Sequence, residues 1–400
     1  MEVFVARHPV FDRFKNVYGY ELVFRSGFEA QYSQLQSDTT AVDFLAFVDF
    51  EELADGKKGF VKFSRDLLLS ELPNQLPRDT MVVCIDSQTQ IDEPLVDAMI
   101  AMTDQGFLLA LTGLTVESET PSLLELVNIV GVDFSNADAE AQKTFVDRMN
   151  EKNVGIWATG LNTVAQFEQA VESGATYFGG EFFTCPDTRV DDRIPGNEMA
   201  HLRVLHLAGR PDTSYDELAE LIEQDVAMTY MLLKFMNSAW FGLKYEIRSV
   251  KHALVMLGPQ EIRRWVSLFV VRMTGKDKPF ELLLRSLTRA RAAELTGLLI
   301  DMDEQASELF LLGMFSVIDA LMDMPMEDIL NEIPLSEDVK AALTGVQNRY
   351  RQVFDMLLAY ERGDWQRFGH FTASLGLDER LVPDIFSKSL EWAHQALEGL

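Results

Sequence analysis

Between residue 3 and about residue 185 the chain repeats one pattern, a short run rich in β-branched and aromatic residues followed by a segment of helical periodicity. The runs are "VFVARHPVF", "KGFVKFS", "TMVVCID", "FLLALTG", "NIVGVDF", "VGIWATG" and "ATYFGGEFF", with stretches such as "TVAQFEQAVESG" between them. Strands that are apolar on both faces and separated by helices demand a mostly parallel sheet covered by helices, and this many units favour a closed barrel over an open sheet. From about residue 197 the β pattern stops. "TSYDELAELIEQDVAMTYMLLKFMNS", "SVKHALVMLG", "PQEIRRWVSLFVVRM" and "EDVKAALTG" are helical in period, the first opening on Ser214 as N-cap with Glu217 three residues on. The change falls in "PDTRVDDRIPGNE", residues 186–198, poor in core formers. The expected domains are therefore 1–190, a (β/α) barrel, and 191–400, all-helical.

The 400 residues are long enough for two cores, and 47% apolar content is enough to fill them. The net charge of −28 divides into −18 for residues 1–195 and −10 for residues 196–400. A surface that acidic repels phosphate backbones, which argues against nucleic acid as a partner. Two cysteines, Cys84 and Cys185, make neither a disulfide framework nor a thiolate metal site. The most apolar stretches, such as "WVSLFVV", are too short to span a bilayer, and "MEVFVARHPVF" lacks the regions of a secretory leader. The expectation is a cytoplasmic protein without membrane insertion.

"ARHPVFDRFKNVYGYELVFRSG", "LLELVNIVGVDF" and "ATYFGGEFF" resemble, in order and spacing, the EAL domain, the cyclic di-GMP phosphodiesterase fold. "DVAMTYMLLKFMNSAWFG" followed by "IRSVKHALVMLGPQEIRRW" resembles the HDOD domain, an all-helical relative of the HD phosphohydrolases. The resemblance implies an EAL-type barrel followed by an HDOD domain, a bacterial signalling architecture tied as a class to motility and surface attachment.

An EAL enzyme holds two divalent ions on oxygen ligands at the strand tips. The resemblance implies a signature Glu, an Asn, a second Glu, an Asp pair, a Lys, a further Glu and two Gln. Matched by position, this chain keeps Glu21 and the neighbouring Arg25. Lys62 stands for the Asn, Cys84 for the second Glu, Thr112 and Gly113 for the Asp pair, and Gly131 for the Lys. Thr159 replaces the later Glu, Gly179 the later Gln, and His8 the early one. A lone carboxylate beside a lysine cannot hold two divalent cations, so the expectation is no metal, no cofactor and no catalytic residue. Glu21 and Arg25, four apart, would suit a structural ion pair. Cys84 reads as a small buried hydrophobe and Asp133 as a cap for the next helix.

In the helical half, the His-Asp doublet that HD relatives use falls on Phe315 and Ser316, and Asp319 reads as a helix residue rather than a ligand. "NSAWFG", residues 237–242, reads as a structural corner. Arg263, Arg264, Trp265 and Arg272 form a candidate interaction edge for an acidic partner, unless the arginines pair internally. The reading adopted is a non-catalytic signalling scaffold whose partners are other signalling proteins, with self-association left open. The alternatives are a cyclic di-GMP phosphodiesterase and a cyclic di-GMP sensor that binds without hydrolysis.

Overall fold

The computed structural model describes residues 4–25, 53–70, 77–118, 123–187, 196–210, 213–237, 247–275, 278–333 and 335–399. It divides into two compact units. The first is 1–185 together with Ala359–Trp365; the second is Pro186–Leu358 with Gln366–Leu400.

Eight strands close the barrel of the first unit in chain order: β1 (Val5–Phe11), β2 (Val17–Phe24), β3 (Lys58–Phe63), β4 (Met81–Asp86), β5 (Leu108–Thr115), β6 (Ile129–Asp133), β7 (Gly155–Thr159) and β8 (Tyr177–Gly179). From β2 to β8 all neighbours are parallel, as the alternation with helices requires, whereas β1 runs antiparallel to both β2 and β8. The reason is the short link to β2. Asp12 Oδ1 accepts hydrogen bonds from the Phe14 and Asn16 amides, Lys15 takes φ of 62°, and a turn that tight can join only antiparallel strands. β2 is also the strand that the seven β-rich runs omit, although "VYGYELVF" alternates across it.

Between the strands lie α1 (Arg65–Leu68), α2 (Glu93–Asp104), α3 (Ala139–Asn150) and α4 (Val164–Ser173). α4 starts because Thr163 Oγ1 accepts from the Gln166 amide while Gln166 Oε1 accepts from the Thr163 amide, a reciprocal capping box. Asp138 caps α3; Asp133 does not, its Oδ1 being turned to the Ser135 amide at 2.8 Å. The barrel interior is a layer of Val10, Phe60, Val82, Cys84, Ala110, Ile129 and Trp157. Because side chains alternate along a strand, the residues two positions further on form the mouth: Lys62, Asp86, Thr112, Gly131, Thr159 and Gly179.

The second unit contains α5 (Gly196–Gly209), α6 (Tyr215–Glu223), α7 (Val226–Met236), α8 (Val250–Thr274), α9 (Phe280–Leu299), α10 (Ala306–Phe315), α11 (Ile318–Met322), α12 (Met326–Glu332), α13 (Glu337–Leu343), α14 (Arg349–Glu361), α15 (Trp365–Leu375) and α16 (Val382–Gly399), α14 and α15 contributing their ends to the first unit. Ser214 caps α6 as its sequence predicts, through the Glu217 amide. α8 bends at Gly258, where φ is 73°, immediately before Pro259. α9 packs against α10 and α16, and Trp265, Phe269 and Phe310 are fully buried around them.

Candidate functional site

The mouth of the barrel is built by strand ends that carry residues singled out in the sequence. Glu21, on β2, faces His8 on the paired strand β1, with its Oε2 3.6 Å from His8 Nδ1. Arg25 follows the end of the same strand, and extended backbone puts residues four apart roughly 13 Å from one another. Its guanidinium lies 4.9 Å from the centre of the Phe4 ring. Glu21 thus meets His8, and the strand does not give the helical i,i+4 geometry in which Glu21 and Arg25 would pair.

Across the mouth, Lys62 Nζ donates to Asp86 Oδ2 at 2.5 Å. That hydrogen bond, with a second from the Gln88 amide, holds the Asp86 carboxyl below its usual range. Cys84 lies beneath them in the core, where burial, and then the Glu21 charge, push its thiol well above the ordinary value. It is an inert packing group. Gly113 sits at φ of 82° in β5, where the register with β6 shifts between Leu111 and Leu114.

Trp157 was not singled out by the sequence, and it dominates the geometry. Its indole, 3% exposed, packs 4.9 Å from the Phe60 ring and spreads over two of the glycine positions. A Cβ at Gly131 would stand 3.3 Å from Trp157 Cε3 and 3.1 Å from Thr112 Cγ2; one at Gly179 would stand 2.8 Å from Trp157 Nε1. The signal was available in "GIWAT", which puts a large ring at an inward position two residues before Thr159.

A cavity of about 280 Å³ adjoins this indole, lined by His8, Glu21, Gly179, Glu181, Asn162 and Arg362 among others. Arg362 comes from the Ala359–Trp365 segment that belongs to the barrel unit. The segment is fixed there by a His8 Nε2 contact to the Glu361 carbonyl at 3.1 Å and by the Trp365 ring standing edge-on to Phe4.

In the helical unit the doublet positions are a buried Phe315 and a Ser316 whose hydroxyl donates to the Gly313 carbonyl at 2.7 Å. Asp319 accepts from the Ala320 amide, and burial raises its carboxyl above the usual range. Asn237 bonds the Ile247 backbone through both ends of its amide; Ser238, Trp240, Phe241 and Gly242 lie outside the described residues. The candidate docking edge is engaged inward. Trp265 is 1% exposed and packs on Phe269, Arg264 is paired with Glu294 and Glu261, and Arg272 donates to the Leu397 carbonyl. Burial lowers Arg263, which sits near the Glu308 charge. A pair the sequence reading missed is His201 Nε2 with Asp225 Oδ2, at 3.0 Å, where Asp225 also caps α7.

Residues 194–341 match the family model of the HDOD domain, and they follow the closed eight-stranded barrel. Over its whole length it is 29% identical to the uncharacterized protein YuxH of Bacillus subtilis, covering all of both chains. It is also 29% identical to the cyclic di-GMP phosphodiesterase CdgJ of Vibrio cholerae serotype O1, over 98% of this chain and 92% of that one. Among solved structures, the EAL domain protein of Listeria monocytogenes EGD-e aligns with 46% of this chain and 87% of its own, at 14% identity and a TM-score of 0.35. Among the described residues no helix is long and apolar enough to cross a membrane.

Proposed function

We propose that this chain is a non-catalytic signalling protein in which the barrel, residues 1–190, and the HDOD domain, residues 191–400, act by binding other proteins. The observation that carries the reading is the indole of Trp157 lying over Gly131 and Gly179, where an EAL enzyme would keep a lysine and a glutamine. Divalent cations need several oxygen ligands converging on open space. Here one carboxylate of that set, Glu21, remains, an ammonium is tied to Asp86, and an aromatic ring occupies the volume. The residues present do not fit a pair of such ions. In this reading Glu21 and Arg25 are residual rather than catalytic. Of the proposed docking residues, the half-buried Arg263, Arg264 and Arg272 remain as an edge, without Trp265.

The test is turnover. Full-length protein with Mg²⁺ or Mn²⁺ is expected to give no linear dinucleotide from cyclic di-GMP above a control without protein. Product formation that grows with protein concentration would sink the proposal. It would also establish the second reading, a phosphodiesterase, which full-length similarity to a Vibrio cholerae cyclic di-GMP phosphodiesterase favours. Metal-independent heat on titrating cyclic di-GMP, without product, would select the sensor instead.

A further inference from the structure

Two polar groups at the barrel-mouth cavity, the Trp157 N–H and Arg362, have no partner among the described residues. Trp157 Nε1 is buried and has no hydrogen-bond acceptor, although its indole lines the cavity beside Gly179. A buried N–H left unpaired costs about 1–3 kcal/mol, so an orphan donor on a cavity wall marks a place for an acceptor. Arg362, exposed at the same cavity, makes no ion pair within the described structure. On the opposite side two acceptors converge. If His8 Nε2 donates to the Glu361 carbonyl, Nδ1 is left as an acceptor, and it looks at Glu21 Oε2 across 3.6 Å. That gap suits a group with several N–H donors, which would bridge the ring nitrogen and the carboxylate.

Charge and size narrow the occupant. The cavity carries the carboxylates of Glu21 and Glu181 against the guanidinium of Arg362, within a half of the chain whose net charge is −18. Multiply charged phosphates are disfavoured by that field. The volume of about 280 Å³ lies at the small end of ligand sites and below the size of a dinucleotide. An indole wall favours a cation lying against it. A ligand that offers an ammonium to Glu21 and His8, and a carboxylate to Arg362 and the Trp157 N–H, complements these four groups, while Glu181 accepts from the Thr184 hydroxyl.

We propose that the barrel mouth is a receptor site for a small zwitterion carrying an ammonium and a carboxylate, of free amino-acid size. The proposal extends the non-catalytic reading by giving the converted mouth a ligand. The two fail separately, because dinucleotide turnover is measured without amino acids present and amino-acid binding is measured without dinucleotide.

The probes are the free amino acids, titrated calorimetrically into the full-length protein. At least one is expected to bind one-to-one at millimolar or lower concentration. Its carboxamide and its N-acetyl derivative should each bind at least tenfold more weakly. Arg362→Gln, an exposed change that leaves the fold intact, should weaken binding about tenfold or more, the loss expected for a charge-assisted pair. Trp157→Phe keeps an aromatic wall and removes the N–H, and should also weaken it. Absence of any amino-acid binding at millimolar concentration overturns the proposal. So does binding that Arg362→Gln leaves unchanged, or binding that the carboxamide and N-acetyl derivatives retain.

Discussion

At the scale of single residues, the mouth shows how one exchange reshapes its surroundings. Lys62 brings an ammonium to the mouth, and Asp86 on the next strand accepts its hydrogen bond. The Asp86 carboxyl is depressed below its ordinary value of 3.8 by that contact, so its folded form holds a proton less readily than the unfolded one. The pair therefore contributes stability that is present above pH 3.8 and is lost as the pH falls below it. Lys62→Gln is expected to remove that contribution, lowering the denaturation midpoint modestly at pH 7 and leaving it unchanged once Asp86 is protonated, so that the fall on the acid side is flatter. Equal acid sensitivity in the variant and the parent would show that the pair does not couple to folding. The identity of Lys62 and its cation character were legible in "VKFS"; its partner was not, because Asp86 lies 24 residues away and is brought opposite only by the β3/β4 register.

At the scale of elements, Trp157 on β7 and the glycines on β6 and β8 form one packing unit, since the ring needs the space that missing Cβ atoms leave. Gly131→Lys forces a side chain against Trp157 and Thr112. It is expected to destabilise the chain by about 1–3 kcal/mol, read from urea midpoints. In a Trp157→Ala background the same substitution should cost less, so the double-mutant cycle should show a coupling of opposite sign to the single effects. Additive effects would mean that the ring and the glycine do not compete for space. The glycines at 131 and 179 were legible as positions without a side chain. That the glycines also accommodate a ring was not, because nothing in sequence spacing says that residues 131, 157 and 179 face one another. The helix starts were more legible: the Ser214 cap is local, and the first turn of α6 meets it within three residues. The antiparallel direction of β1 was equally local in cause, a short Asp12–Asn16 turn, yet the strand it creates, β2, was hidden behind the stronger β runs.

At the scale of the whole molecule, the barrel unit is discontinuous in sequence, because Ala359–Trp365 belongs to it. Tyr360 is buried there with its hydroxyl hydrogen-bonded to the backbone of Val5, and Gly363, at φ of 66°, brings its backbone against Val23 and Ala6. A fragment ending at residue 190 loses this cover and bares the apolar face of β1 and β2. It is expected to unfold at lower temperature than the barrel in the full chain, or to aggregate, whereas Tyr360→Ala in the full chain should cost about 3 kcal/mol through the same contact. A 1–190 fragment as stable as the intact barrel would show that the segment is dispensable.

What the sequence determined by itself is what depends on neighbours along the chain: alternation of strand and helix, the point near residue 186 where it stops, and the caps. Those features are set by local periodicity and residue chemistry, and so survive translation into a linear reading. Only the tertiary structure decided that Glu21 meets His8, that Trp265 is buried, that Trp157 packs against Gly131 and Gly179, and that a turn near residue 362 lines the same cavity. Each of these joins residues distant in sequence, and barrel closure with its strand register sets which side chains converge.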